Sequence, residues 1–172
     1  MSKHITVPFS AAGLERAADW LEEYQKRTLP KNIVELVSRM CRTGEVWAIS
    51  LINRVDTGNT ISTIHGYRNG DKGVIVANGA AIWIEFGTGV YYNGTGYNYP
   101  GKIPDGIAAH GTWGEGHGSQ MNGWFYPDPN GQYVFNGETY SHTLGMPSNP
   151  FMYTTAQMLK RECPQMAKEV FR

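Results

Sequence analysis

The chain has no excess of either charge: 15 Lys and Arg stand against 15 Asp and Glu in 172 residues. A surface that grips nucleic acid neutralises phosphates with a basic surplus, and none is present. Charge of any sign is scarce, at 17% of residues where roughly 25% is usual. A neutral, charge-poor surface promotes association, so much of it is expected to be covered by partners. No apolar run approaches the ~20 residues of a membrane span, and the N-terminal stretch lacks a signal-peptide core. Two cysteines, Cys41 and Cys163, are too few for a disulfide framework, and with no signal core they fit a reducing cytoplasm. The length suits one domain over 1–172.

What the chain does have falls into three zones and a tail. Residues 10–55 read as helical. Leu14, Ala17, Ala18, Leu21 and Tyr24 recur at helical spacing, with Glu22 and Glu23 four residues ahead of Lys26 and Arg27. Pro30 interrupts and suits the first turn of a second helix. In that helix Ile33, Leu36, Val37, Met40, Cys41, Gly44, Trp47, Leu51, Ile52 and Val55 form one stripe. Gly44 within the stripe marks a close backbone contact or a bend. Asp56-Thr57-Gly58-Asn59 ends the helix with turn chemistry.

Residues 60–89 read as strands, 60–67 rich in Thr and Ile and 74–77 β-branched, with Asn69-Gly70 as the hairpin signal between them. The run Ala80 to Phe86 fits a short helix or a buried strand equally well. From Gly87 to Gly145 the character changes: 14 of the 21 glycines and 11 of the 21 aromatics fall here, with only five charges. A disordered linker is poor in aromatics, so this is expected to be a long loop shaped by Tyr and Trp contacts. Within it Trp124-Phe125-Tyr126 and Tyr133-Val134-Phe135 flank Asp128-Pro129-Asn130-Gly131, which reads as a second hairpin. At the C-terminus Asn149 is expected to be an N-cap and Pro150 the first helical residue, with Pro164 kinking or breaking the helix.

The chemistry is thin. His110, Glu115 and His117 lie in a Gly-rich stretch without the rigid close spacing that a zinc site needs. Cys41 and Cys163 sit on apolar helix faces, where a thiol stays protonated. Gly87-Thr88-Gly89 and Gly94-Thr95-Gly96 lack the Lys of a phosphate loop and read as turns. Glu85 follows an apolar run; it is expected to accept hydrogen bonds from the Gly87-Thr88-Gly89 turn or to pair with an Arg, rather than to catalyse. No catalytic, metal-binding or cofactor-binding residue is assigned, and no cofactor is expected. The aromatic residues Tyr91, Tyr92, Tyr97, Tyr99, Trp113, Trp124, Phe125 and Tyr126 are instead the candidate protein-interface set, because rigid rings bury area at low entropy cost.

Three segments, in order, resemble a known family. These are Asp56-Thr57-Gly58-Asn59 after a long helix, Ala81-Ile82-Trp83-Ile84-Glu85-Phe86-Gly87-Thr88-Gly89, and Gly145-Met146-Pro147 followed by Asn149-Pro150-Phe151-Met152. They are similar to signature blocks of the tail-component, or neck, proteins of tailed bacteriophages. Trp124-Phe125-Tyr126 resembles the aromatic strand between the last two blocks. The stretch 90–122 is bulkier than the family's linker.

The resemblance implies an α+β fold, a long helix packed on a small antiparallel sheet with a C-terminal helix, here carrying an inserted loop at about 90–145. It implies a non-enzymatic virion protein found in the host cytoplasm during assembly. Its partners would be further copies of itself in a ring, hexameric or dodecameric, and neighbouring connector and tail proteins. DNA would be passing cargo, with no membrane involved. A tail terminator capping the tail tube is the alternative within that class. A carbohydrate-binding module stacking sugars on Tyr91, Tyr92, Tyr97, Trp113 and Trp124 is the rival outside it. A third rival is a cell-wall hydrolase built on His110, Glu115 and His117.

Overall fold

The computed structural model describes residues 10–52, 58–91, 98–104 and 123–171. The fold is α+β, with a long helix, small antiparallel sheets and a C-terminal helix. The chain divides into two compact units, each discontinuous in sequence, and passes between them within two of its helices.

The first unit contains residues 10–47, 65–76 and 156–171 of the described chain. Helix α1 (Ala11–Glu23) starts at Ser10, whose hydroxyl accepts the Gly13 N–H at 3.1 Å, a serine N-cap. Pro30 does not end the helix. The backbone widens to a π-helical turn over Tyr24–Thr28 and continues as α2 (Leu29–Leu51), with Pro30 in its first turn. Proline lacks an N–H and its ring crowds the carbonyl four residues back, and the wide turn relieves both conflicts without a break.

The hairpin β1 (His65–Asn69) and β2 (Lys72–Val76) pairs in register from His65 opposite Val76 to Asn69 opposite Lys72. Its two-residue loop is therefore Gly70-Asp71, and of these only Gly70 has positive φ (+63°), the pattern of a type II′ turn. The expected strand from Thr60 is shorter than the sequence suggested: Gly58–Ile61 forms a helical turn, α3, and the ladder starts at His65. Thr60 and Ser62 favour such local turns, because a hydroxyl can satisfy nearby backbone groups; the Ser62 hydroxyl donates to the Asn59 carbonyl at 2.8 Å.

Glycine sets how closely the hairpin approaches α2. A Cβ on Gly66 would lie 2.2 Å from the Cys41 carbonyl oxygen, and one on Gly44 would lie 2.2 Å from Ile75 Cδ1 and 2.8 Å from Leu159 Cδ1. Gly44 thus marks a close contact, one of the two readings the sequence left open. The Gly66 N–H donates to Glu45 Oε2 at 2.7 Å, and the buried Cys41 thiol donates to the Tyr67 carbonyl at 3.2 Å. Helix α5 (Phe151–Val170) is tied to α2 by the Arg39–Glu169 ion pair at 2.6 Å. Pro164 lies inside α5 and does not terminate it.

The second unit comprises residues 48–64 and 77–155. The run left open between helix and strand is a helix, α4 (Ala81–Phe86), closed by Gly87 at φ +79°. A single 3₁₀ turn, Gly89–Tyr91, follows. The span expected to be loop contains a three-stranded sheet: β3 (Trp124–Pro127), β4 (Tyr133–Phe135) and β5 (Glu138–Thr143) in the order β3-β5-β4, both pairings antiparallel.

The hairpin expected across Asp128–Gly131 does not form, since β3 and β4 are not neighbours. The tight hairpin is β4–β5, turning on Asn136 (φ +51°) and Gly137 (φ +84°) between Phe135 and Glu138. Two consecutive positive φ values define a type I′ turn, whose twist matches the strands it joins. Asp128-Pro129-Asn130-Gly131 does turn the chain: Asp128 accepts from the Asn130 N–H (2.9 Å) and the Ser141 hydroxyl (2.6 Å). That turn carries the chain over to the far edge of the sheet. Buried Ile64, Ala81, Ile84, Phe86, Phe151 and Thr155 form the core of this unit.

Candidate functional site

The Glu85 carboxylate, only 5% exposed at the end of α4, accepts three hydrogen bonds. Its Oε1 accepts from the Tyr153 N–H at 2.9 Å and from the Tyr99 hydroxyl at 3.2 Å, and its Oε2 accepts from the Met152 N–H at 2.8 Å. Met152 and Tyr153 open α5, where backbone N–H groups have no partner within the helix. Glu85 therefore caps that helix from another segment, and its negative charge also suits a helix N-terminus.

The partner expected from sequence, the Gly87-Thr88-Gly89 turn or an Arg, is replaced by the start of α5. The N-cap expected of Asn149 is likewise corrected. Its side-chain amide donates to the Leu51 carbonyl at 3.3 Å, its backbone N–H donates to the Ile84 carbonyl at 2.7 Å and its own carbonyl accepts the Phe151 N–H at 2.7 Å, while the Met152 and Tyr153 N–H groups go to Glu85.

Around the carboxylate the other signature residues close a clasp. The Thr88 N–H donates to the Met146 carbonyl at 2.8 Å, and the Met146 N–H donates back to the Thr88 hydroxyl at 3.0 Å. A Cβ on Gly87 would meet the Met146 carbonyl oxygen at 2.7 Å, and one on Gly145 would meet the Thr88 carbonyl oxygen at 2.2 Å. Both glycines have positive φ, so the Gly-Thr-Gly and Gly-Met-Pro segments can cross only where no side chain intervenes. Tyr99 packs on Phe86 (ring centroids 4.8 Å apart) and on Tyr153 (5.7 Å).

Burial pushes the Glu85 carboxyl above its ordinary value, outweighing the hydrogen bonds from Met152, Tyr153 and Tyr99 that favour the ion. A raised carboxyl can serve as a proton donor, but Glu85 points both oxygens at donors that hold a helix in place. The hydroxyl of Thr155, at the end of the first turn of α5, is buried with no hydrogen-bond partner among the described residues. Replacing Thr155 with Val swaps that hydroxyl for a methyl of the same shape. It should raise stability by about 0.5–1 kcal/mol, read as an upward Tm shift of roughly 1–4 °C.

The second feature is the aromatic face of the β3-β5-β4 sheet. Phe125 lies at its centre, with ring centroids 4.9 Å from Tyr133, 5.2 Å from Phe135 and 4.9 Å from His142, and Phe135 also meets Tyr140 at 5.5 Å. The register explains the cluster: Phe125 is opposite His142, Tyr133 opposite Tyr140 and Phe135 opposite Glu138, so all these side chains share one face. The rings meet at 56–78°, edge towards face. That geometry fills the space between the rings. Beside these strands Ser141 holds the Asp128 carboxyl below its ordinary value, helped by the Asn130 N–H, and the Glu138 carboxylate raises the Tyr140 phenol.

Comparison with known protein families, curated proteins and solved structures finds no match.

Of the aromatic residues singled out in the sequence, Tyr99 is half-buried with its hydroxyl on Glu85, Phe125 is half-buried in the sheet cluster, and Tyr91 is half-buried in the 3₁₀ turn. Trp124 and Tyr126 belong to β3. Tyr92, Tyr97 and Trp113 lie outside the described residues, as do His110, Glu115, His117, Gly94-Thr95-Gly96 and Asp56-Thr57. Among the described residues no group of three or more His, Cys, Asp or Glu could hold a metal ion, and no helix is long and apolar enough to cross a membrane.

The apolar face of α1 that the spacing marks stands largely exposed. Leu14 is 54% exposed, Leu21 58% and Trp20 41%, and within the helix only Gly13 is buried. Periodicity had marked Leu14 and Leu21 as an apolar face, but spacing carries no information on what covers that face.

Proposed function

We propose that this chain is a structural virion protein of a tailed bacteriophage, a neck component that forms a ring joining head to tail around the DNA conduit. The observation that carries this reading is the use made of the signature residues. Glu85, Thr88, Met146 and Asn149, which carry the resemblance to neck proteins, are engaged in one intramolecular clasp. Large apolar side chains meanwhile stand outside on β4, namely Val134 and Phe135. A motif used for architecture, beside surface suited to contact, is what an assembly subunit requires. Closed rings join one patch to a different patch on the next copy, and a charge-poor exterior lowers the desolvation cost of such contacts. A chain with zero formal net charge suits a conduit that lets DNA pass without holding it.

The test is particle mass and shape of the purified chain, alone and with virion components, together with its presence in mature particles. A ring-sized species that joins heads to tails is expected. A strict monomer absent from particles overturns the reading. For a loop-deletion variant in the same assay, the cut belongs at 105–122. Removing 90–122 would also take out Tyr99 and its contacts with Glu85, Phe86 and Tyr153, and would confound lost assembly with lost folding.

A further inference from the structure

We propose that the helix over residues 11–34 pairs with the same segment of a second copy, antiparallel, through the face that carries Leu14, Ala17, Ala18, Leu21, Tyr24, Leu29 and Ile33.

The first ground is phase. An α-helix advances about 100° per residue, so α1 and α2 joined without interruption would carry their apolar stripes roughly 100° apart. The π-helical turn at Tyr24–Thr28 absorbs about one extra residue and brings the two stripes into line. At Cys41 and Gly44 this stripe faces the unit's own hairpin and α5. Towards the N-terminus the same stripe continues with Leu14, Leu21 and Ile33 all exposed. Over 24 residues it runs ~36 Å, and with its flanks it approaches the ~800 Å² that one partner contributes to a stable interface.

The second ground is complementarity, which selects both the occupant and its direction. Counted in helical layers, an antiparallel copy sets Ala17 and Ala18 opposite Leu29, where small side chains meet a large one, with Leu14 opposite Ile33 and Leu21 opposite Tyr24 as the large pairs on either side. On one flank of the stripe lie Glu22 and Lys26, which form an intrahelical ion pair and are both exposed. In an antiparallel pair the same flank of each helix faces itself, which brings each Glu22 to the partner copy's Lys26, whereas a parallel pair turns that flank to the partner's opposite flank and forms no such contact. The contact is isologous and closes as a pair. It is separate from any ring contact and does not depend on the proposed function.

The test uses full-length chains, with association followed by sedimentation and native mass spectrometry. Chains with Glu22→Lys alone, or with Lys26→Glu alone, should each pair about tenfold or more weakly than the unaltered chain, because like charges then meet on both sides. Mixed in equal amounts, they should return to the strength of the unaltered chain as a mixed species. Each variant loses the same intrahelical pair, so helix content by circular dichroism serves as the folding control. Leu21→Glu should abolish pairing and leave a ring, if one forms, in place. A mixture that pairs no better than either variant alone overturns the inference. So does either charge variant that pairs as tightly as the unaltered chain, which would indicate parallel packing, or Leu21→Glu chains that pair normally.

Discussion

Replacing Glu85 with Ala should destabilise the second unit by about 3–4 kcal/mol, because the Met152 and Tyr153 amides and the Tyr99 hydroxyl each lose a buried acceptor. Glu85→Gln keeps the volume and one acceptor oxygen but turns an NH₂ towards a donor, so about half that loss is expected. Denaturant melts at fixed pH measure both. The pH dependence carries its own sign. Burial raises the folded-state carboxyl above its unfolded value, so the folded chain holds its proton longer than the unfolded chain. The Glu85 contribution is therefore fully present below the unfolded value and declines as pH rises through the folded one. The stability difference between the unaltered chain and Glu85→Gln should shrink from acid towards neutral pH. A difference that grows over that range would mean that the three donors, and not burial, dominate at this carboxyl.

The second large effect belongs to Gly66. An alanine Cβ there would sit 2.2 Å from the Cys41 carbonyl oxygen and 2.8 Å from its carbonyl carbon, both backbone atoms of α2. Backbone cannot swing aside as a side-chain tip can, so the hairpin must lift from the helix. Lifting stretches the Gly66 N–H contact to Glu45 and the Cys41 contact to the Tyr67 carbonyl. A loss of about 3 kcal/mol is expected, or roughly 6–12 °C in Tm for a chain of this length. Gly44→Ala is the control. Its Cβ would meet only the ends of the Ile75 and Leu159 side chains, and alanine also favours the helix, so its loss should stay near 1 kcal/mol or below.

These two sites show what could be read in the sequence and what could not. Helix α2, the β1–β2 hairpin and the start of α5 were legible because periodicity, glycine turns and proline placement act within a few residues. Glu85 was legible as a buried carboxylate with a structural role, but its partners lie 67 and 68 residues further along the chain and no local rule reaches them. A signal did exist at the other end: a helix entered through Pro150 leaves first-turn amides in need of an acceptor. In the sheet, Asp128–Gly131 drew attention while Asn136-Gly137, the stronger two-residue signal, closed the actual hairpin. Strand order was out of reach, because β3 and β4 both satisfy the alternation that pairs them with β5. The π-helical turn left no sequence mark other than Pro30.

The order β3-β5-β4 also bears on how the chain folds as it is synthesised. The partner of β3 is β5, which leaves the ribosome only after β4 and the Asn136-Gly137 turn have been made. Strands β4 and β5 can close locally within microseconds, whereas the aromatic strand at 124–127 must wait unpaired until residues 138–143 emerge. That waiting interval is the window in which a chaperone, or a neighbouring nascent chain, would find it.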